Sequence, residues 1–289
     1  MAFGAEAGEQ GAGRRAPVFI FAPMNVLFDI QGSGRASGGL LLCEWGAGYC
    51  CTALLDGDSR LVHRLRYWSL EEPLPQQDFD AILEGLRQWS AHAARVVFCS
   101  AFPEAVLLPQ RYADAAATVV PALYPVGGPV QQDRVGEWQL TTAYTFPPAL
   151  DAALREAFPQ AEYFHAFTPA LKGHSSIDAP TQLQVHFAPK QARVLARKDG
   201  FLQLAQVYRY DSPLDVVYYL LRIAAETGLP GADTPLVLTG LIDEESALYR
   251  ELYQYFTTLH FGSAPGAPAE DGRPAHFFTS LHNLAQCVS

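Results

Sequence analysis

Few residues of this chain have the types and spacing that catalysis requires. Zinc sites and metalloproteases often place histidines in HxH or HExxH patterns, and none of the eight histidines is spaced in this way. The sequence also lacks the GxSxG turn that exposes the nucleophilic serine of α/β-hydrolases. From these residue types we expect no catalytic residue and no metal ligand.

A glycine pair, Gly32-x-Gly34, resembles the start of a dinucleotide-binding motif. That motif needs a strand before the glycines and a helix after them, so that backbone N–H groups can hold a phosphate. Here the glycines precede a strand, so the geometry is missing. We interpret the surrounding segment GSGRASGG (32–39) as a flexible loop.

Four basic residues are concentrated in one predicted hairpin: Lys190, Arg193, Arg197 and Lys198. Alternating charges along a hairpin usually mark its solvent face, and this is the interpretation we favour. The alternative is a site for an acidic partner or a phosphate group.

Composition limits the function classes that remain. The 289 residues are 49% hydrophobic, enough for a sizeable core, and 30 acidic against 20 basic residues give a net charge of −10. This balance argues against nucleic-acid binding. The apolar runs are too short to span a bilayer, so we expect no membrane span.

The cysteines and the N-terminus indicate a cytoplasmic protein. The five cysteines lie on apolar runs without CxxC spacing, which predicts reduced, buried thiols, with Cys50 and Cys51 on opposite faces of one strand. The first fifteen residues have no apolar segment directly after a basic start, so we expect a disordered arm and not a signal peptide.

The predicted elements repeat along the chain. Three strands, a helix and a strand are predicted over residues 39–100, and the same order over residues 181–242 is followed by a helix that begins with Asp243. The spacing agrees: 34 positions separate Leu61 from Arg95, and 34 separate Phe201 from Pro235. The pattern predicts a duplicated α/β fold with an inserted segment in the first half.

The predicted domain organisation follows from this repeat. We expect a disordered or flexible N-terminal arm over residues 1–38, a first subdomain with its insertion over 39–176, and a second subdomain over 177–289. The helix of the second half is well delimited, with Ser212 as N-cap, Pro213 in the first helical position and Gly228 as left-handed cap.

Several stretches resemble an uncharacterised bacterial family, domain of unknown function 3822, found mainly in Bacteroidetes. They are the KDG turn (198–200), the strand leading into SPLDVVYYLL, the LTG (238–240), the closing HFFTSL (276–281), AFPEAVLLPQ (101–110) and AFPQAEYFHAFTPAL (157–171). The resemblance covers roughly residues 39–286. It implies an actin-like ATPase fold, which is ribonuclease H-like in architecture, with two β-β-β-α-β-α subdomains. It implies no function.

An active actin-like ATPase holds phosphates on two glycine-containing hairpins, with a carboxylate nearby for Mg²⁺ or the attacking water. The first hairpin here carries Glu44, Gly46 and Gly48, a loose match, and we favour the interpretation that its glycines serve a tight turn needing positive φ. The second, HFAPKQ (186–191), has neither acid nor glycine, and Pro189 removes a backbone donor.

The adenosine position of such a fold corresponds here to LTGLI (238–242), which retains only Gly240. Gly240 is explained as a strand-to-helix turn residue, and Leu241 would crowd a base or ribose. If a nucleotide binds, the residues that would hold it are Glu44, Gly46, Gly48 and Gly240.

All three nucleotide motifs are therefore degraded. We predict a pseudo-ATPase that binds a protein partner or serves as a scaffold, with no cofactor. The alternative is a divergent ATPase or phosphotransferase that binds ATP and Mg²⁺ through Glu44 and the Gly46/Gly48 turn.

Overall fold

The first half of the molecule is built on a six-stranded mixed sheet. The computed structural model describes residues 24–35, 38–173, 179–264 and 271–288. The sheet has the order β1-β4-β3-β2-β5-β9. Its strands are β1 (Asn25–Gln31), β2 (Gly39–Gly46), β3 (Tyr49–Leu55), β4 (Val62–Ser69), β5 (Ala93–Ser100) and β9 (Glu162–His165), and helix α1 (Gln76–Ser90) connects β4 to β5.

The second half repeats this arrangement in a five-stranded sheet of order β12-β11-β10-β13-β14. The strands are β10 (Gln182–Ala188), β11 (Gln191–Lys198), β12 (Phe201–Arg209), β13 (Leu236–Gly240) and β14 (Leu259–Phe261), and helices α5 (Pro213–Thr227) and α6 (Ala247–Tyr255) lie between them in sequence. In both sheets three consecutive antiparallel strands are followed by two parallel ones, and the first sheet has the antiparallel strand β1 in addition. The predicted repeat is confirmed.

The inserted segment of the first half forms a small sheet of order β6-β8-β7. Its elements are β6 (Ala105–Pro109), α2 (Ala116–Leu123), β7 (Gln131–Val135) and β8 (Leu140–Tyr144), and α3 (Pro148–Ala157) leads from it to β9. Strand β7 begins within the Gly/Pro-rich stretch 125–133, because its pairing with β8 overrides the local turn signals.

Each half ends in a helix that packs against the sheet of the other half. After β9, α4 (Phe167–Lys172) places Leu171 in a core with Leu195 and Val207 of the second sheet. After β14, α7 (Thr279–Cys287) places Leu281 in a core with Leu42 of the first sheet. The two helices also contact each other. The halves are therefore joined by exchanged helices.

Alternation along β2 and β3 produces cores on both faces of the first sheet. Leu41 faces the core that includes α1, while Leu42 faces the core that includes α7. Cys50 and Cys51 also divide between these two cores, as the alternation of a strand predicts. Four of the five free cysteines are buried, the exception being the half-buried Cys287.

The structure corrects the expected flexible arm over residues 1–38. Residues 25–31 form β1, which pairs antiparallel with the outer edge of β4, and Gly32 and Gly34 continue this contact by donating to His63 and Val62. The strand was missed because its sequence follows a Gly/Ala-rich segment and it has no counterpart in the second half. Residues 1–23 and the boundary at 176 lie outside the described residues.

The ends of the helices test the local sequence signals. Ser212 Oγ accepts a hydrogen bond from Asp215 N, the Asp215 carboxylate accepts one from Ser212 N, and Gly228 is left-handed with φ 66°, so α5 begins and ends as predicted. Helix α6 was predicted to begin at Asp243, but Ser246 caps it. Within the described ranges, no helix is long and apolar enough to cross a membrane.

Candidate functional site

The two β-hairpins of the halves meet where the sheets face each other. Each hairpin has a two-residue turn, because Gly46 pairs with Tyr49 and Ala188 pairs with Gln191. A Cβ atom added to Gly48 would lie 3.2 Å from the Pro189 carbonyl oxygen. In an active ATPase of this fold the two hairpins bind the phosphates between them. Here the corresponding hairpins are in close contact with each other.

The side chain of Gln191 connects the two halves at this contact. It is 3% exposed; its Nε2 donates to the Ala101 carbonyl at 2.6 Å, and its Oε1 accepts from Ala47 N at 3.4 Å. Both partners belong to the first half, one at the hairpin tip and one just after β5. Gln191 therefore satisfies backbone groups of the first half with a side chain of the second.

Beneath the hairpins lies a buried polar cluster built on Glu44. This residue is 1% exposed, near the end of β2, and its Oε1 accepts from the hydroxyl of Tyr49 at 2.5 Å. Its Oε2 accepts from Ser280 Oγ at the start of α7. Arg193 of β11 is 4% exposed, with Nη1 3.7 Å from Glu44 Oε1 and Nη2 donating to Ser280 Oγ at 2.9 Å. The cluster thus joins four elements, β2, β3, β11 and α7, from both halves.

The pKa values of the cluster fit an ionised carboxylate. Burial acts to raise the pKa of Glu44, but the Arg193 charge and the hydrogen bonds from Ser280 and Tyr49 outweigh it, so the pKa lies below its usual value. The pKa of Tyr49 is raised well above its usual value by burial and by the neighbouring Glu44 charge. Tyr49 therefore stays a hydrogen-bond donor to Glu44.

The register of the repeat places His186 in the second half where Glu44 stands in the first. Each lies two residues before the last paired residue of its strand, and the parallel neighbours are Cys99 for Glu44 and Thr239 for His186. His186 Nδ1 lies 3.0 Å from Thr239 Oγ1, which in turn donates to a backbone carbonyl. Burial, together with the Arg193 charge, lowers the pKa of His186 to about 3, so the imidazole is neutral.

The predicted solvent position of Arg193 is wrong. It lies on the hairpin with Lys190, Arg197 and Lys198, but its side chain points between the halves, where the Glu44 charge compensates the cost of burial. Alternation of charges along one strand could not show this, because the compensating carboxylate is more than a hundred positions away in sequence. The strand does place Arg193 on the same face as the apolar Leu195, which is buried, and this was the one available signal.

The glycines of the first hairpin are explained by close approach and not by positive φ. Neither Gly46 nor Gly48 is among the glycines with positive φ. At Gly46 an added Cβ would meet the Tyr49 ring at 2.3 Å. The space for a side chain is therefore taken by the residue that hydrogen-bonds Glu44.

Both a positive φ and a close backbone contact require glycine at position 240. Its φ is +78°, and an added Cβ would lie 2.1 Å from the Phe187 carbonyl oxygen. Leu241 N donates to the same oxygen at 2.8 Å. The end of β13 is thus pressed against the end of β10. The assignment of Glu44, Gly46, Gly48 and Gly240 to a nucleotide stays a prediction.

Little space remains around the cluster. The cavity lined by His186, Arg193, Thr239, Ser280 and Asn283 measures about 10 Å³, room for about one water molecule. A second cavity of about 10 Å³ touches Glu44 from the side of Tyr67 and Phe278. Sites for small molecules usually measure about 300–1,000 Å³. No cluster of three or more potential metal ligands occurs in the parts of the chain that the structure describes.

Comparison with known proteins places this geometry in a family. The model of the family described as "Protein of unknown function (DUF3822)" matches residues 76–259, more than half of the chain. The chain belongs to this family. The match is narrower than the expected 39–286 and includes the second hairpin, Arg193 and Gly240, but neither Glu44 nor Ser280.

Solved structures agree with the DUF3822 chain in fold. A protein of unknown function from Bacteroides thetaiotaomicron with an actin-like ATPase fold is 14% identical, with a TM-score of 0.70, covering 87% of this chain and 97% of that one. The PilM–PilN type IV pilus biogenesis complex has a chain that is 12% identical, with a TM-score of 0.57, covering 86% and 98%. The predicted actin-like fold is confirmed. No curated protein matches the sequence.

Proposed function

We propose that this chain is a non-catalytic actin-fold protein, a pseudo-ATPase that works by binding another protein. The observation that carries the proposal is the closed junction between the hairpins, where Gln191 bonds to Ala47 and Ala101 and Gly48 approaches Pro189. Phosphates bind to free backbone N–H groups in such loops. Here the Ala47 N–H faces a side chain of the same protein, and Pro189 has no N–H.

The state of Glu44 supports the same proposal. A carboxylate that positions Mg²⁺ or an attacking water needs a free oxygen directed at the substrate. Both oxygens of Glu44 accept hydrogen bonds, from Tyr49 and from Ser280, and Arg193 balances its charge. Glu44 is thus used to join the halves.

The kind of partner is inferred from charge and from the fold. A net charge of −10 favours a protein over a nucleic acid. A neighbour of the same fold, PilM, is described in complex with a second protein, PilN, and this is an analogy at the level of fold. We further infer a reducing, cytoplasmic location, because all five thiols are free.

The second candidate is a divergent ATPase or phosphotransferase. The observation in its favour is that Glu44 is held ionised between the halves, directly before the Gly46/Gly48 hairpin. It requires the hairpins to separate when ATP and Mg²⁺ bind. Separation would break the Gln191 contacts with Ala47 and Ala101.

Thermal unfolding with and without millimolar ATP and Mg²⁺ distinguishes the pseudo-ATPase from the divergent ATPase or phosphotransferase. Ligand at a hundred times its Kd stabilises the folded state by about 2.7 kcal/mol. At ~2–4 °C per kcal/mol this raises Tm by ~5–10 °C. The pseudo-ATPase proposal expects no shift. A shift of that size, with Mg²⁺-dependent hydrolysis lost in Glu44→Gln, would establish the ATPase instead.

A further inference from the structure

A groove of about 990 Å³ lies at the outer side of the hairpin contact, between the two halves. Its floor is formed by the hairpin tips, and its walls by the segments that follow β4 and β12. Its charged lining residues are Glu71, Glu72, Asp78, Lys190, Arg209 and Asp211. It is about a hundred times larger than the cavities around Glu44.

The charge of this groove is unbalanced. Four carboxylates line it against two cations, Lys190 and Arg209. Arg209 is already paired, because its guanidinium donates across the groove to the Glu72 carboxylate at 2.6 and 3.3 Å. Among the described residues, Glu71, Asp78 and Asp211 have no ion pair.

The groove also offers apolar contacts between the charges. Leu70 lies on the wall of the first half, Tyr210 on that of the second, and Pro189 on the floor. The Tyr210 hydroxyl donates to the Ala188 carbonyl at 3.4 Å, which leaves the ring beside the groove. A ligand that fits must therefore alternate cationic and apolar groups along a length that reaches both walls.

We propose that this groove binds an extended segment of a partner protein in which arginines or lysines flank an apolar side chain. The inference rests on the proposed protein-binding function and names the site and the chemistry of the partner. The basic groups pair with Glu71, Asp78 and Asp211, and the apolar group contacts Leu70 and Tyr210. An incoming arginine also competes with Arg209 for Glu72.

Pairing across the groove gives the partner a second effect. A segment that bonds carboxylates of both halves holds the halves in their closed relation, as the Glu72–Arg209 pair does. Binding is therefore coupled to the stability of the Glu44–Arg193 cluster. This is expected as a rise in Tm with ligand concentration.

The test uses the full chain and a fluorescein-labelled peptide of alternating arginine and leucine, with a glutamate–leucine peptide of equal length as the ligand control. The variant Glu71→Gln/Asp78→Asn/Asp211→Asn removes the unpaired carboxylates. The matched control, Glu156→Gln/Glu244→Gln/Glu245→Gln, removes three exposed carboxylates elsewhere. Fluorescence anisotropy at about 0.15 M salt, where exposed charges more than about 8 Å apart are largely screened, gives the affinities.

We expect the groove variant to lose at least tenfold in affinity for the arginine–leucine peptide, and the control variant less than threefold. A second variant, Ala47→Trp, fills the groove without changing its charge and should lose a similar factor. Equal losses in the two triple variants, or no loss in the groove variant and in Ala47→Trp, would overturn the assignment.

One other occupant is tested in the same assay. Residues 1–23 enter the described chain at Met24, which lines the groove, and they include Arg14 and Arg15. If Arg14→Ser/Arg15→Ser raised peptide affinity tenfold, the segment of this chain would be the occupant and the partner assignment would fail. The nucleotide experiment is independent, so a failure of the groove is distinguishable from a failure of the pseudo-ATPase proposal.

Discussion

The substitution Arg193→Met removes the only cation beside Glu44 in the described part of the cluster while keeping a side chain of similar length. Glu44 would keep the hydrogen bonds from Tyr49 and Ser280 but would remain buried as an uncompensated charge. Removing one partner of a buried pair typically costs about 3–5 kcal/mol. At ~2–4 °C per kcal/mol we expect Tm to fall by ~6–20 °C.

The control for this prediction is Arg209→Met. Arg209 also forms an ion pair between the halves, but its side chain is 61% exposed and that of Glu72 is 44% exposed. Exposed pairs contribute about 0–1 kcal/mol. A difference of about 2 kcal/mol or more between the two variants in urea unfolding would show that burial, and not the mere presence of a pair, determines the cost.

The pH dependence of the stability gives an independent check, because the contribution of Glu44 should change with pH in opposite directions in the native protein and in Arg193→Met. In the native protein the pKa of Glu44 lies below its unfolded value, so its contribution to stability is present above the unfolded pKa and is lost as pH falls through the folded one. Without Arg193, burial dominates and raises the pKa of Glu44. The variant then loses stability as pH rises above the unfolded pKa of Glu44.

The loss caused by Arg193→Met should therefore be largest near pH 7.5 and shrink toward about pH 4. Adding Glu44→Gln to Arg193→Met should recover part of the stability, since the uncompensated charge is gone. Additive losses from the two single variants, or a loss that does not depend on pH, would refute the interpretation of this cluster as a buried ion pair.

Three further substitutions test other parts of the structure. Gly240→Ala should destabilise by roughly 2–4 kcal/mol, because its Cβ would meet the Phe187 carbonyl at a left-handed φ, and a loss under 1 kcal/mol in urea unfolding would contradict this. Burial raises the pKa of Asp133 to about 6, so the native protein should gain up to about 3 kcal/mol as pH falls from 7 toward 4, a gain that Asp133→Asn should lack. Ser212→Ala should cost about 1 kcal/mol by removing the bond to Asp215 N.

The sequence predicted the frame of the molecule well because its signals are local. Ser212 and Gly228 mark the ends of α5 through their own backbone preferences, and the apolar runs of β2, β3 and β5 follow from a sheet buried on both faces. The two halves share an order of elements, so a correct interpretation of one supports the other. Strand β1 escaped because its pairing with β4 is not signalled within residues 25–31 themselves.

The candidate site was harder to predict because its partners are distant in sequence. Glu44 was identified only as the carboxylate that would serve Mg²⁺ or water if a nucleotide bound, and Arg193 was interpreted as a surface charge. Their pairing depends on the packing of one sheet against the other and on Ser280, which α7 brings back to the first half. Nothing in the sequence singled out Ser280 or Gln191, since serine and glutamine occur at many exposed positions.

The register of the repeat explains why the two halves of this protein can pack against each other at the hairpins. The equivalent positions carry an acid in one half, Glu44, and a neutral imidazole in the other, His186. Two acids at these positions would repel each other unless a cation lay between them, and in an ATPase Mg²⁺ meets that need. With one acid, a single arginine balances the charge. Arg193, which lies 3.7 Å from Glu44 Oε1, supplies this charge from within the chain.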